Sequence, residues 1–180
     1  MERPRNKVVK ELMQTTDIII LAAGKGTRMQ SLLPKVLHKL AGQPLLSHVL
    51  TAAQTVNDAK SIVVTGFGAG QVESAIGNAA DVFVAQPEQL GTAHAVQCAL
   101  PHIRENVKVL ILYGDVPLIA PDTIAKMLDT VTVDQMGLLT VTLDDPTGYG
   151  RIIRDADNNI AAIVEQKDAS PEQLQVNEVN

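Results

Sequence analysis

Short runs of β-branched and other apolar residues recur along the chain at 17–22, 61–65, 81–85, 107–113 and 136–143. Their length and near-continuous apolar character predict strands buried on both faces. Between them, 44–56, 70–79, 92–103 and 121–131 carry apolar residues at helical spacing, and several of these segments open on Pro or Thr, as helix N-termini do. This alternation predicts a Rossmann-like α/β fold, a doubly wound and mostly parallel sheet with helices on both faces. Such a sheet binds ligands outside the carboxyl ends of its strands, which places a ligand near the loops after Ala22 and Tyr113.

After Asp144 the pattern changes. A polar turn, Asp145-Pro146-Thr147-Gly148, leads into two shorter apolar stretches at 151–153 and 160–164, then into a polar segment at 167–175. These stretches are expected to form an excursion over the ligand edge of the sheet, with no closing element of the sheet before Asn180. The organisation expected is an extension over residues 1–16 and one domain over 17–180, cut short at its C-terminal end.

Composition narrows the chemistry. The 180 residues are 46% hydrophobic, enough for a substantial core, but only 2% aromatic and without Trp, which leaves no run of rings for stacking nucleic-acid bases. A net charge of −5 argues against an electrostatic grip on DNA or on an anionic membrane. No apolar run approaches the roughly 20 residues of a membrane span, and the charged first residues lack the apolar stretch of a signal peptide, so a cytoplasmic protein is expected. The single cysteine, Cys98, can form no intramolecular disulfide, which suits a reducing compartment.

The first predicted strand runs into Leu21-Ala22-Ala23-Gly24-Lys25-Gly26-Thr27-Arg28-Met29, with Pro34-Lys35 close behind. Glycines let backbone N–H groups approach phosphate oxygens, Arg28 can make forked contacts to phosphate, and Lys35 supplies a point charge. Lys25, Arg28, Lys35 and Lys39 belong to this one stretch, four of the chain's 15 basic residues, so an acidic chain has gathered positive charge beside its first strand. That suits a polyphosphate. A P-loop would need Gly-Lys-Ser/Thr at its end, and a dinucleotide fingerprint would need a third glycine where Met29 stands; neither condition is met.

The pattern Leu-x-x-Gly-x-Gly-Thr-x-Met-x4-Pro-Lys resembles the signature of the nucleotide-sugar pyrophosphorylases. Within them, from about Asp17 to Asn180, the chain resembles the N-terminal pyrophosphorylase domain of the bacterial bifunctional N-acetylglucosamine-1-phosphate uridylyltransferase and glucosamine-1-phosphate acetyltransferase family. Segments 86–95, 112–118, 144–151 and 163–168 match as well, the last two separating this family from thymidylyl and guanylyl relatives. The resemblance implies a nucleotide-diphospho-sugar transferase fold and a magnesium-dependent reaction. In it, the phosphate of N-acetylglucosamine 1-phosphate attacks the α-phosphorus of UTP directly, giving pyrophosphate and UDP-N-acetylglucosamine for peptidoglycan and lipopolysaccharide synthesis.

By the same resemblance Arg28 and Lys35 are catalytic, aligning two anions and neutralising charge in transit. Asp115 is the Mg²⁺ ligand, a second ligand lying past Asn180. Leu21, Ala22, Ala23, Gly24, Gln86, Gly91 and Thr92 hold the nucleotide, and Tyr113, Gly114, Gly150, Glu165 and Asn180 hold the sugar. The stretch between Arg151 and Glu165 is one residue longer than the family form. Full family members carry a C-terminal left-handed β-helix through which they form homotrimers and acetylate glucosamine 1-phosphate; neither nucleic acid nor membrane is an expected partner.

Plainer readings stand beside these. Lys35 could be a solvated loop lysine, Asp115 a turn cap, Gln86 a loop residue before Pro87, Glu165 an exposed carboxylate and Cys98 a small core residue. His38, His48, His94 and His102 show no ligand spacing and carry no expected chemistry. Two rival functions stay open: a sugar-phosphate nucleotidyltransferase of other specificity, for instance for glucose 1-phosphate or dTTP, and a nucleotide-binding module without turnover.

Overall fold

The computed structural model describes residues 15–26, 29–132 and 135–180. Apart from Thr15 and Thr16, the expected N-terminal extension therefore lies outside the described residues. The chain divides into two compact units, one ending at Asp129 and one running from Thr130 to Asn180.

The first unit contains β1 (Thr16–Ala22), a small hairpin of β2 (Lys39–Leu40) and β3 (Gln43–Pro44), α1 (Leu45–Ala53), β4 (Lys60–Thr65) and α2 (Ala69–Ile76). It continues through β5 (Val82–Ala85), α3 (Thr92–Ala99), β6 (Lys108–Tyr113) and α4 (Pro121–Thr130). Four of these strands form a parallel sheet in the order β5-β4-β1-β6. From β1 the chain builds outward through β4 to β5, then crosses back and lays β6 on the other side of β1. The boundary between β1 and β6 is thus the topological switch point, where the two crossovers diverge and leave a crevice.

Period-two alternation sorts the β1 side chains between two cores. Ile18, Ile20 and Ala22 pack with Leu46, Val49 and Leu50 of α1, Val72 and Ile76 of α2, and Ile124 of α4. Ile19 packs on the opposite face with Ile62, Val64 and Val84 and with Ala95 and Ala99 of α3. Ile18, Ile19 and Ile20 are fully buried, each burial stabilising the fold by roughly 1.5–3 kcal/mol. Asp17 is buried too, at the entry to β1. Its carboxylate accepts the backbone N–H of Arg104 at 2.7 Å and that residue's Nε–H at 2.7 Å, which pins the segment entering β6 to the start of β1.

The second unit is an antiparallel sheet of β7 (Val141–Thr142), β8 (Arg151–Arg154), β9 (Ile160–Val164) and β10 (Glu178–Val179), ordered β7-β10-β8-β9. Two sequence expectations change here. The strand expected at 136–143 shrinks to two residues, because it pairs with β10, which offers only Glu178 and Val179; Met136, with no strand against it, is 91% exposed. The last residues also form a strand rather than a polar trailing end. Glu178 accepts from Arg154 Nε at 2.8 Å and Nη2 at 2.7 Å, and from Thr140 Oγ1 at 2.7 Å. Among the described residues no helix is long and apolar enough to cross a membrane.

Replacing Arg104 by Ala leaves buried Asp17 with a backbone N–H but without its guanidinium partner, and is expected to lower unfolding stability by roughly 3 kcal/mol, read as the midpoint shift in urea. The second sheet carries an acid-sensitive tie. Hydrogen bonds from Arg154, then Thr140, pull the Glu178 carboxyl from 4.5 down to about 2. A carboxyl depressed in the folded state contributes stability that is complete above its unfolded value and is lost as pH falls through the folded one. Hydrogen exchange at Val179 should therefore accelerate as pH drops from about 4.5 to about 2, after correction for intrinsic rates, and Glu178→Gln should remove that step.

Candidate active site

β1 and β6 lie side by side with Leu21 opposite Tyr113, and the Leu21 carbonyl accepts the Gly114 N–H at 2.9 Å. The segments leaving the two strands therefore begin as neighbours at the carboxyl edge of the sheet. They border a cleft of about 710 Å³. Leu21, Ala22, Ala23, Gly24 and Lys35 line it from the side of β1, Gln86, Gly91 and Thr92 from the turn into α3, and Tyr113 and Asp115 from the end of β6. Gly114 is buried beside them, where an added Cβ would meet Leu21 O at 3.0 Å and Leu46 Cδ1 at 3.2 Å. Met29 and Gln89, which lie within the matched sequence motifs but have no role assigned there, also line the cleft, and Gln89 Nε2 donates to the Ala23 carbonyl at 3.1 Å. Arg28 lies outside the described residues.

Lys35 opens a short 3₁₀ turn, Lys35–Leu37, whose Val36 and Leu37 are buried and so anchor it to the core. Its Nζ reaches Asp115 Oδ2 at 2.6 Å, joining two loops that are 80 positions apart in sequence. Both side chains are partly exposed, at 41% and 29%, so the pair is worth no more than about 1 kcal/mol and yields readily to a better partner such as a phosphate. Gly26 makes this approach possible. Its φ is +57°, and a Cβ there would lie 2.9 Å from Lys35 Cβ.

No group of three or more His, Cys, Asp or Glu side chains able to hold a metal ion occurs among the described residues. Asp115 is instead a carboxylate at the rim of a cleft otherwise lined by neutral and basic groups. Oxygen donation from one carboxylate fits a hard cation that keeps its waters and shares the phosphates of a bound nucleotide. It does not fit a pre-assembled zinc-type centre.

On the far side of the cleft Gln86 is 5% exposed. Its side-chain Nε2 donates to the Gly91 carbonyl at 3.0 Å and lies 3.2 Å from His94 Nδ1. Gly91 and Thr92 form the N-terminus of α3, where first-turn N–H groups have no partner within the helix.

Gly150, Glu165 and Asn180 come together in the second unit through strand register. Arg151 is opposite both Val164 and Val179, so Gly150, one residue back, falls between Glu165 and Asn180. A Cβ on Gly150 would indeed lie 3.4 Å from Asn180 Oδ1. A bulge shifts the β8–β9 register after Ile153, which pairs with Ala162 while Arg154 pairs with Ile160. One extra residue is absorbed there and Glu165 stays aligned. Asp145 serves a turn, its carboxylate accepting the Thr147 N–H at 3.1 Å, and the Thr147 hydrogen bonds hold its pKa below the usual carboxylate value.

A family model described as the MobA-like NTP transferase domain matches residues 18–163. The chain is 55% identical over 164 residues to the "Bifunctional protein GlmU" of Burkholderia ambifaria, an alignment covering 91% of this chain and 36% of that relative's length. The chain thus spans 36% of the length of such curated relatives. Among solved structures, HddC from Yersinia pseudotuberculosis is similar at TM-score 0.63 and 24% identity, over 83% of this chain and 68% of that one. Rv0371c from Mycobacterium tuberculosis, solved in complex with manganese, is similar at TM-score 0.53 and 20% identity, over 92% of this chain and 77% of that one. At these identities the two structures show a shared fold.

Substituting Gly26 by Ala forces a left-handed backbone on an L-residue and pushes on Lys35. The change is expected to weaken nucleoside-triphosphate binding by about tenfold, a cost within the range for one strained residue, with little shift of the urea midpoint because the loop lies outside the core. Titration calorimetry and urea unfolding of the same preparation check both parts.

Proposed function

This chain belongs to the MobA-like NTP transferase domain family, and on that premise we propose that it is the nucleotidyl-transferring part of an enzyme joining UTP and N-acetylglucosamine 1-phosphate. The products are UDP-N-acetylglucosamine and pyrophosphate. The observation that carries the reading is the meeting of Lys35 and Asp115, one cation and one carboxylate, at the switch-point cleft formed by the loops after β1 and β6. The 55% identity to GlmU relatives supports the choice of UTP and N-acetylglucosamine 1-phosphate over other pairs.

In this proposal the triphosphate lies along the loop from Leu21 to Lys35, its charge met by Lys35 and Arg28. The base sits against Gln86, Gly91 and Thr92. A phosphate oxygen of the sugar phosphate forms a bond to the α-phosphorus while the bond from that phosphorus to the β-phosphate bridge breaks, and pyrophosphate leaves. No proton needs to move and no covalent enzyme intermediate forms, so the protein's contribution is alignment and charge neutralisation. Asp115 would hold a divalent ion, which we infer to be Mg²⁺; such an ion supplies further neutralisation of phosphate charge. The manganese complex of the like-folded Rv0371c is compatible with a divalent ion at this fold. Within the second unit, Gly150, Glu165 and Asn180 would recognise the sugar, Glu165 as an acceptor for hydroxyls.

The setting proposed is the cytoplasm, in keeping with the unpaired Cys98, with the product feeding peptidoglycan and lipopolysaccharide synthesis. A trimeric, acetyl-transferring parent protein, implied by the family resemblance of the sequence, is part of the same proposal; the relatives' description as bifunctional is compatible with it.

UDP-N-acetylglucosamine formation from UTP, N-acetylglucosamine 1-phosphate and Mg²⁺ tests the reading directly. Lys35→Ala and Asp115→Ala are each expected to lower the rate by about 10²–10³, the cost of one lost charge-stabilising contact. UTP binding without product would favour a nucleotide-binding module, and absence of UTP binding would overturn the proposal.

A further inference from the structure

The Gln86 side chain is buried and its amide nitrogen has two partners. Its Nε2 donates to the Gly91 carbonyl at 3.0 Å and lies 3.2 Å from His94 Nδ1. A carbonyl oxygen only accepts, so the nitrogen end of the amide has to face Gly91, and the second hydrogen of the same NH₂ group is the one directed at His94. Nδ1 must then be an acceptor. That assignment leaves Nε2 as the ring's donor, and this nitrogen lies 3.8 Å from Cys98 Sγ, which is four residues further along α3 and within reach as a weak sulfur acceptor. With both amide hydrogens committed, Oε1 is the polar atom Gln86 has left to offer the cleft it lines.

We propose that His94 is a positioning residue for nucleotide selection. By accepting from Gln86 Nε2 it holds Oε1 toward the base, where that oxygen accepts the N3–H of uracil and is repelled by the N3 lone pair of cytosine. Cys98 stabilises the required tautomer from the other side of the ring. Segment 86–95 includes this histidine, but the sequence assigns it no chemistry, because its task is carried out through Gln86 and depends on the fold of the turn between β5 and α3. The inference rests on the reading of Gln86 as the base-contacting residue.

The test is the binding of UTP and of CTP to the chain by calorimetry, in the wild type and in His94→Leu and His94→Asn. Wild type is expected to prefer UTP. His94→Leu removes one of the two acceptors that hold the amide and leaves the Gly91 carbonyl as its sole restraint, so the UTP:CTP preference should fall by roughly tenfold, the worth of about one hydrogen bond. In His94→Asn the side-chain carbonyl stands near the former Nδ1 and should restore the preference. A role in packing alone would lower the melting temperature of both variants and leave the ratio untouched, which would overturn the inference while the reading of Gln86 survived. A wild-type chain with no preference for UTP would instead sink that reading, and the inference with it. Nitrogen-15 spectra of the wild-type imidazole give a second check that needs no variant: the Nε2–H tautomer is expected, and a proton on Nδ1 would refute the arrangement.

Discussion

β1 is hydrogen-bonded along both edges and covered on both faces, and the rest of the first unit is arranged around that fact. A strand so enclosed can carry polar groups only at its ends. At one end Asp17 is buried and answered by Arg104, which holds the segment before β6 against the start of β1. At the other end the chain leaves the sheet as Ala23-Gly24-Lys25-Gly26 beside the end of β6, where the neighbouring strand also runs out. Polar chemistry is thus concentrated at the carboxyl edge by the apolar demands of everything else.

The pairing at that edge is weak by construction. Lys35 and Asp115 are close enough for a short ion pair, yet exposed enough that water screens it. A tight buried pair would have locked both side chains and resisted exchange, because desolvated charges cannot be separated cheaply. In the proposed reaction this exposure leaves the lysine free to take a phosphate and the carboxylate a cation, while the buried Val36 and Leu37 anchor the lysine's backbone.

The second unit achieves alignment by a different means. Gly150, Glu165 and Asn180 are neighbours only because three strand segments share one register, and the bulge after Ile153 keeps that register at the end that matters. The sheet is small, and polar contacts help to hold it. Arg151 is buried with its guanidinium donating to Tyr149 O and to Gln166 Oε1, and the short β10 is tied to its surroundings through Glu178.

What the residues determined by themselves were the parts dictated by local rules. Apolar runs of strand length, helical spacing between them and a glycine-rich basic loop after the first strand sufficed for the parallel sheet and for most of the cleft lining, since burial on two faces admits few residue types and close phosphate approach admits fewer still. The comparison was less complete where pairing is non-local. The run at 136–143 looked like a full strand, but its length depended on a distant partner in sequence that offers two residues, and the strand at Glu178–Val179 had no periodicity from which to be seen. His94 lies in the matching segment 86–95 but the residues alone gave it no role, and its place beside Gln86 came from the turn into α3. Such features are set by which backbone lies opposite which, and by which hydrogen-bonding groups remain unspent after folding, and these are properties of the assembled chain.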